Sequence, residues 1–158
     1  MQTFIVFILD DSLGFLVGAA SVAMRRGLEE KLAARGLTAP QWAVLGRLWQ
    51  QDGQPLSALG RSLLFDKPTI SGIVDRLAAK RLVRRQADGV DGRVVRVRLL
   101  PAGRTLQPVL ESYARDVNRQ AARHLSAPEL AALKAGLRRL CANLLRSATR
   151  SSATVRSR

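Results

Sequence analysis

Residues 57–99, SALGRSLLFDKPTISGIVDRLAAKRLVRRQADGVDGRVVRVRL, carry the pattern on which the fold turns. Leu56, Leu59, Leu63 and Leu64 are the apolar residues of a short helix predicted over 57–62. A tight connection through Leu64, Phe65 and Asp66 follows. Asp66 is placed to cap a second helix, with Pro68 in its first turn. Ile70, Ile73, Val74 and Leu77 form that helix's buried face, and it is predicted to end near Lys80. A strand is expected over 83–87 and a loop over 88–92. Val95, Val97 and Leu99 then alternate with Val94, Arg96 and Arg98, the period of a strand with one packed face. Helix, turn, helix and basic hairpin together describe a winged helix-turn-helix unit.

The flanks read as helices. Leu13, Leu16, Ala20, Ala23, Gly27 or Leu28, and Lys31 or Leu32 follow helical spacing after Ser12, a candidate N-cap, and Gly36 supplies a stop. Thr38 can cap the next helix, with Pro40 near its first turn and Trp42, Leu45, Leu48 and Trp49 on one broad face; 51–54 reads as a turn. Beyond Pro101 two longer helices are expected. Leu106, Val109 or Leu110, Tyr113, Val117 and Ala121 mark the first, which continues toward Leu125; Pro108 lies near enough to its start to kink it without breaking it. Ser126 caps the second. Its Leu130, Leu133, Leu137, Leu140 and Leu144 step by three and four, as in the seam of a paired helix or the core stripe of one subunit. The expected organisation is mainly α (α+β), a single domain over 1–150. Within it 10–36 and 101–146 are dimerisation helices and 54–100 the winged lobe, with 147–158 a flexible basic tail.

At 158 residues the chain holds one modest core, and 47% hydrophobic with 24% charged residues is the composition of a folded protein. Its 26 Lys and Arg against 12 Asp and Glu give +14, a balance that draws anionic partners. Residues 1–56 are neutral, whereas 57–98 carry ten basic and four acidic residues and 99–158 eleven and three. One cysteine, Cys141, excludes an internal disulfide or a multi-thiolate site, and one histidine, His124, leaves little for zinc or imidazole catalysis. Cys141 reads as a packed small hydrophobe and His124 as a helix-end cap. No nucleophile stands beside a base, so no enzyme, cofactor or metal is expected. The apolar runs Phe4–Leu9 and Leu13–Met24 are split by Asp10 and Asp11, too short to span a bilayer, despite the spacing of Gly14 and Gly18. A cytoplasmic location is expected.

From Asp11 to Leu145 the sequence resembles the multiple-antibiotic-resistance-regulator (MarR) family of bacterial transcription factors. Asp11-Ser12-Leu13-Gly14-Phe15-Leu16 is similar to the family's first helix, and Leu37-Thr38-Ala39-Pro40-Gln41-Trp42 with Val44-Leu45 to its second. Asp66-Lys67-Pro68-Thr69-Ile70-Ser71 leading to Val74-Asp75-Arg76-Leu77 resembles the recognition helix. Asp88, Asp91, Arg93 and Leu99 resemble the wing, followed by Gly103. Two positions depart from the family: Leu100 stands where a capping Thr is common, and Gly72 where many members carry Arg. Gly72 implies a missing DNA contact and a helix of lower propensity.

The resemblance implies a homodimer on a palindromic double-stranded operator, most simply a repressor released by a small aromatic or lipophilic effector. It nominates Lys67, Pro68, Thr69 and Ser71 for base edges and Arg76 for a phosphate, with Ser57 a phosphate donor or a plain N-cap. Arg93 is the wing's candidate for a minor groove, steadied by Asp91 pairing with Arg93 or Arg76. Arg84, Arg85 and Arg96 are phosphate contacts or the solvated face of the hairpin. Phe15, Met24, Trp42, Trp49 and Tyr113 line the implied effector cleft, with Arg25 or Arg47 nearby, or else belong to the core. Two other functions fit the same residues: a low-specificity basic DNA-binding protein, and a winged-helix protein-interaction module.

Overall fold

The computed structural model describes residues 8–155, so most of the apolar run from Phe4 lies outside the described residues. The chain divides into two compact units after Asn118. In the first, a 3-10 turn at Leu9–Asp11 leads into α1 (Leu13–Ala33), then α2 (Ala39–Gln50), β1 (Gln54–Pro55), α3 (Leu56–Leu63), α4 (Lys67–Ala79), β2 (Val83–Ala87), β3 (Val95–Leu99) and α5 (Pro101–Thr105). α6 (Gln107–Ala121) crosses the division, and α7 (Ala127–Val155) forms most of the second unit. Mainly helical with a small sheet, this is the winged helix-turn-helix architecture read from residues 57–99.

Local chemistry places the helix ends. Ser12 Oγ accepts the Phe15 N–H at 3.3 Å, and Thr38 with Gln41 makes a reciprocal capping box at the start of α2. Asp66 Oδ1 takes the Thr69 N–H at 2.9 Å; the Thr69 hydroxyl and N–H hold that carboxyl below its ordinary range. Gly36 closes α1 at φ +61, a left-handed conformation that favours glycine. Leu100 offers α5 no side-chain cap. Pro101 follows it at the first helical position, where its missing N–H removes one of the donors a cap would serve.

The core of the first unit gathers Leu28 and Leu32 of α1, Val44, Leu45 and Leu48 of α2, and Leu59 of α3. Ile70, Ile73, Val74 and Leu77 of α4 join them, with Val83, Val97 and Leu99 of the sheet and Leu110 and Val117 of α6. β3 lies centrally, antiparallel to both neighbours, with Val83 opposite Leu99 and Arg85 opposite Val97. Gly103 packs so closely that a Cβ there would overlap the Leu82 carbonyl oxygen.

Several expectations are corrected. The turn at 51–54 ends in a strand, for Gln54 pairs with Val97 and adds a third strand to the hairpin. Ser57 is not an N-cap: α3 starts at Leu56 behind Pro55. A short extra helix, α5, precedes the first of the two expected after Pro101; the two part at Leu106, where Pro108 has no N–H for the Arg104 carbonyl four residues earlier. α6 stops at Ala121, and His124 sits in the turn beyond it at φ +69 with an exposed side chain. α7 runs past Ser147, where the tail was placed, to Val155. Ala148, Arg150 and Ala153 are good helix formers, and an established helix adds a hydrogen bond per residue without needing a core. Residues 156–158 lie outside the described residues. Cys141 is exposed on α7, not packed. The first half of α1 is bare too: Leu13, Phe15, Leu16, Val22 and Met24 are all exposed, as are Leu133, Leu137 and Leu144 on α7.

Candidate nucleic-acid interface

α3, the connection at Leu64 and α4 form the helix-turn-helix. Leu64 turns the chain in a left-handed conformation, and Gly60 lets the Phe65 carbonyl and Ile70 approach α3, since a Cβ there would stand 3.1 Å and 3.2 Å from them. The N-terminal turn of α4 is thereby presented outward, with Lys67, Pro68 and Thr69 exposed. The hairpin stands beside it. Between them lies a concavity of about 580 Å³ lined by Ser57 and Arg61 of α3, Lys67 and Ser71 of α4, and Arg85 and Arg93 of the hairpin, over apolar Leu56, Phe65, Ile70, Val94 and Val95. Four cationic side chains and two hydroxyls converge on one hollow.

Five of the ten nominated residues, Ser57, Lys67, Ser71, Arg85 and Arg93, line this hollow. Pro68 and Thr69 are exposed at the start of the same helix. Arg76 is exposed a turn further on, and its guanidinium occupies the side of α4 left open by Gly72, where a Cβ would meet Nη1 at 3.4 Å. Arg84 and Arg96 are not brought to the α4 side. Alternate strand residues face opposite ways, so Arg85 shares the inner face with Val83, Val97 and Leu99, and Arg84 shares the outer one with Arg96 and Arg98. Arg96 is also tied down: Nε donates to Asp88 and Nη1 to the Gly53 carbonyl at 2.9 Å.

Asp88 organises the wing tip. Its Oδ1 accepts the N–H groups of Val90 (2.9 Å) and Asp91 (3.1 Å) while Oδ2 pairs with Arg96. The Arg96 guanidinium, then those two N–H groups, hold its carboxyl down at about 2. Asp91 steadies the wing in another way than expected. Its carboxylate accepts the Arg93 backbone N–H at 3.0 Å and, among the described residues, makes no ion pair with Arg93 or Arg76, so the Arg93 guanidinium is left to the hollow. Arg61, Asp75 and Asp88 were missed as site residues. Arg61 follows Ser57 by one turn and so shares its face; the partners of Asp75 and Asp88 are contacts that no spacing announces.

A second cleft, about 430 Å³, lies on α2, α3 and α6, lined by Trp42, Gly46, Arg47, Trp49, Leu63 and Glu111 among others. Trp49 Nε1 donates to the Gly103 carbonyl at 3.0 Å, whereas the buried Trp42 Nε1 has no acceptor among the described residues. Phe15, Met24, Tyr113 and Arg25 are not in its wall. Phe15 and Met24 are exposed on α1, and Tyr113 packs on the core with Lys31 Nζ 6.0 Å from its ring centre. Among the described residues no helix is long and apolar enough to cross a membrane, and no cluster of three or more His, Cys, Asp or Glu could hold a metal.

A helix-turn-helix with a three-stranded wing and a cationic hollow between them defines a winged-helix transcriptional regulator. The chain belongs to the MarR family, whose pattern it matches over residues 37–95. A probable transcriptional regulator of Pseudomonas aeruginosa is 39% identical with a TM-score of 0.78, over 84% of this chain and 99% of that one. BpsR of Bordetella bronchiseptica, whose DNA binding is regulated by 6-hydroxynicotinic acid, is 26% identical with a TM-score of 0.80, over 86% and 97%. The transcriptional regulator TtmR of Methylorubrum extorquens is 38% identical over 99 residues, 63% of this chain; the match spans 51% of TtmR, about half its length.

Proposed function

We propose that this regulator is a homodimeric, sequence-specific DNA-binding repressor that a small molecule releases from its operator. The observation that carries the reading is the hollow between α3, α4 and the wing, where Arg61, Lys67, Arg85 and Arg93 converge beside the exposed start of α4. The N-terminal turn of α4 enters the major groove with Lys67, Thr69 and Ser71 toward base edges. Arg93 follows the wing into the adjoining minor groove, and Ser57 and Arg61 hold phosphates. Arg76 supplies a guanidinium over the stretch of α4 that Gly72 leaves bare. Supporting a dimer are the exposed apolar residues Leu13, Phe15, Leu16, Val22 and Met24 of α1 and Leu133, Leu137 and Leu144 of α7, which a second copy would cover.

For release, the reading uses the second cleft. Trp42 there buries a donor without an acceptor, a cost a ligand oxygen would remove, and α2 packs directly on α4. A ligand that fits one arrangement of α2 better than another then shifts the recognition helix by that difference in affinity. BpsR, with its regulation by a small aromatic acid, is a parallel.

The test is a fluorescence-anisotropy titration on the intergenic DNA upstream of the protein's own gene, at about 150 mM salt with excess unrelated duplex. Saturable binding of one dimer per palindrome, lost in Thr69→Ala with Arg93→Ala, is expected. Binding that the competitor abolishes would favour a low-specificity protein, and no binding even at low salt would favour a protein-interaction module.

A further inference from the structure

The Ser71 hydroxyl is held from behind by the wing. Arg85 crosses from the inner face of β2 to α4, where Nη2 donates to the Ser71 carbonyl at 3.1 Å and to Ser71 Oγ at 2.8 Å, and lies 2.9 Å from Asp75 Oδ1. A guanidinium has donors and no acceptor. Ser71 Oγ is therefore the acceptor in that bond, and its own proton must go elsewhere. The hydroxyls of Ser62 and Ser112 send theirs back to the carbonyl three residues earlier. Ser71 makes no such bond among the described residues, and it lines the hollow between α4 and the wing.

We infer that Arg85, by occupying one of the two lone pairs of Ser71 Oγ, biases that hydroxyl toward donating, so that Ser71 favours guanine or thymine over cytosine at one position of each half-site. This rests on the DNA-binding reading above. A free serine hydroxyl both donates and accepts, and so tolerates any base edge. One whose oxygen already accepts from a guanidinium has a single lone pair left beside its free proton, and so presents itself mainly as a donor. In the major groove guanine offers O6 and N7 and thymine offers O4, all acceptors, whereas cytosine offers the N4 amino group, a donor. Asp75 completes the arrangement by keeping the Arg85 guanidinium on α4 and offsetting its charge. Arg85 is a positioning residue: it acts on the DNA through Ser71.

The experiment is a base-by-base affinity profile, taken on duplexes that the wild-type protein selects from a randomised pool. Wild type, Ser71→Ala, Arg85→Met and Arg85→Lys are compared, with thermal melting of each to show that it folds. The wild-type protein is expected to disfavour cytosine about tenfold at one half-site position. Ser71→Ala levels that position and no other. Arg85→Met returns the second lone pair of Ser71 Oγ, so cytosine is better tolerated at the same position while the remaining preferences stand. Arg85→Lys restores the discrimination, since an ammonium also only donates. An unchanged profile in Ser71→Ala overturns the inference, and so does an Arg85→Met variant that loses preference equally at every position. Failure of the wild-type protein to select any sequence would instead remove the DNA-binding reading beneath it.

Discussion

Replacing Asp52 by Ala tests how the wing is anchored. β1 is only two residues long and pairs with Val97 and Arg96, leaving the Leu99 N–H beyond its reach. Asp52 covers that gap with a side chain: Oδ1 accepts the N–H groups of Leu99 and Gly53, each at 2.8 Å, and Oδ2 pairs with Arg104 of α5. A carboxylate thus stands where a longer strand would place a carbonyl. Removing it leaves the Leu99 N–H unpaired, at about 1–3 kcal/mol. The Gly53 bond adds about 0.5–1 kcal/mol, and the Arg104 pair, whose arginine is more than half exposed, under about 1 kcal/mol. Asp52→Ala is therefore expected to lose about 2–4 kcal/mol in urea unfolding, or about 6–12 °C in Tm for a chain of this size. Asp52→Asn, which keeps an amide oxygen, should lose about half as much. Partial burial pushes the Asp52 carboxyl up, but the Leu99 and Gly53 N–H groups and Arg104 outweigh it and hold it below the ordinary 3.8. The unfolded chain consequently takes up that proton first as the pH falls. The stabilisation is complete above about pH 5 and fades through the folded pKa, so wild type and Asp52→Asn should converge in acid. A loss under about 0.5 kcal/mol in Asp52→Ala, or a gap that widens in acid, would refute this account of the anchor.

Asp88, held at about 2, should titrate in an NMR pH series well below the ordinary aspartate value of 3.8, and Asp88→Asn should raise amide exchange at Val90 and Asp91 before any global loss of structure. Gly103→Ala drives a methyl into the Leu82 carbonyl and should cost about 3 kcal/mol by chemical denaturation; a neutral result would mean that α5 shifts freely on β2. Arg93→Ala and Arg96→Ala should part company. Arg93→Ala weakens operator binding several-fold with an unchanged Tm, while Arg96→Ala, which frees Asp88 and the Gly53 carbonyl, lowers Tm first. Equal effects of the two on both measurements would contradict the division of the hairpin into two faces.

The lobe was legible because its signals are local. Asp66 before Pro68, the apolar face Ile70, Ile73, Val74 and Leu77, and the alternation to Leu99 fix two helix ends and a strand within a few residues of chain, and the structure reproduces all three. What escaped depends on distant partners or on competition between weak terms. β1 exists because Gln54 meets Val97 more than forty residues away, and two residues carry no period of their own. The separate short α5 carries no apolar period of its own in five residues, whereas Pro108 in the first turn of α6 leaves that helix unbroken, as its place in the sequence implies. At the interface, the residue types were readable and their roles less so. Arg84, Arg85 and Arg96 look alike in a basic hairpin, and only the pleat and the partners Asp75 and Asp88 separate them.

That separation bears on how the charge of this protein would be counted on DNA. Arg84 and Arg98 stand on the outer side of the hairpin, and Arg96 is already neutralised by Asp88. On the proposed mode of binding, none of the three is expected to displace a condensed counterion when the inner side closes on a duplex. The slope of log affinity against log salt, about 0.9 per phosphate neutralised, should therefore tally Arg61, Lys67 and Arg93 and the start of α4, with Arg85 offset by Asp75, rather than the formal +14. The rest of the surplus acts at a distance, hastening encounter without deepening the grip.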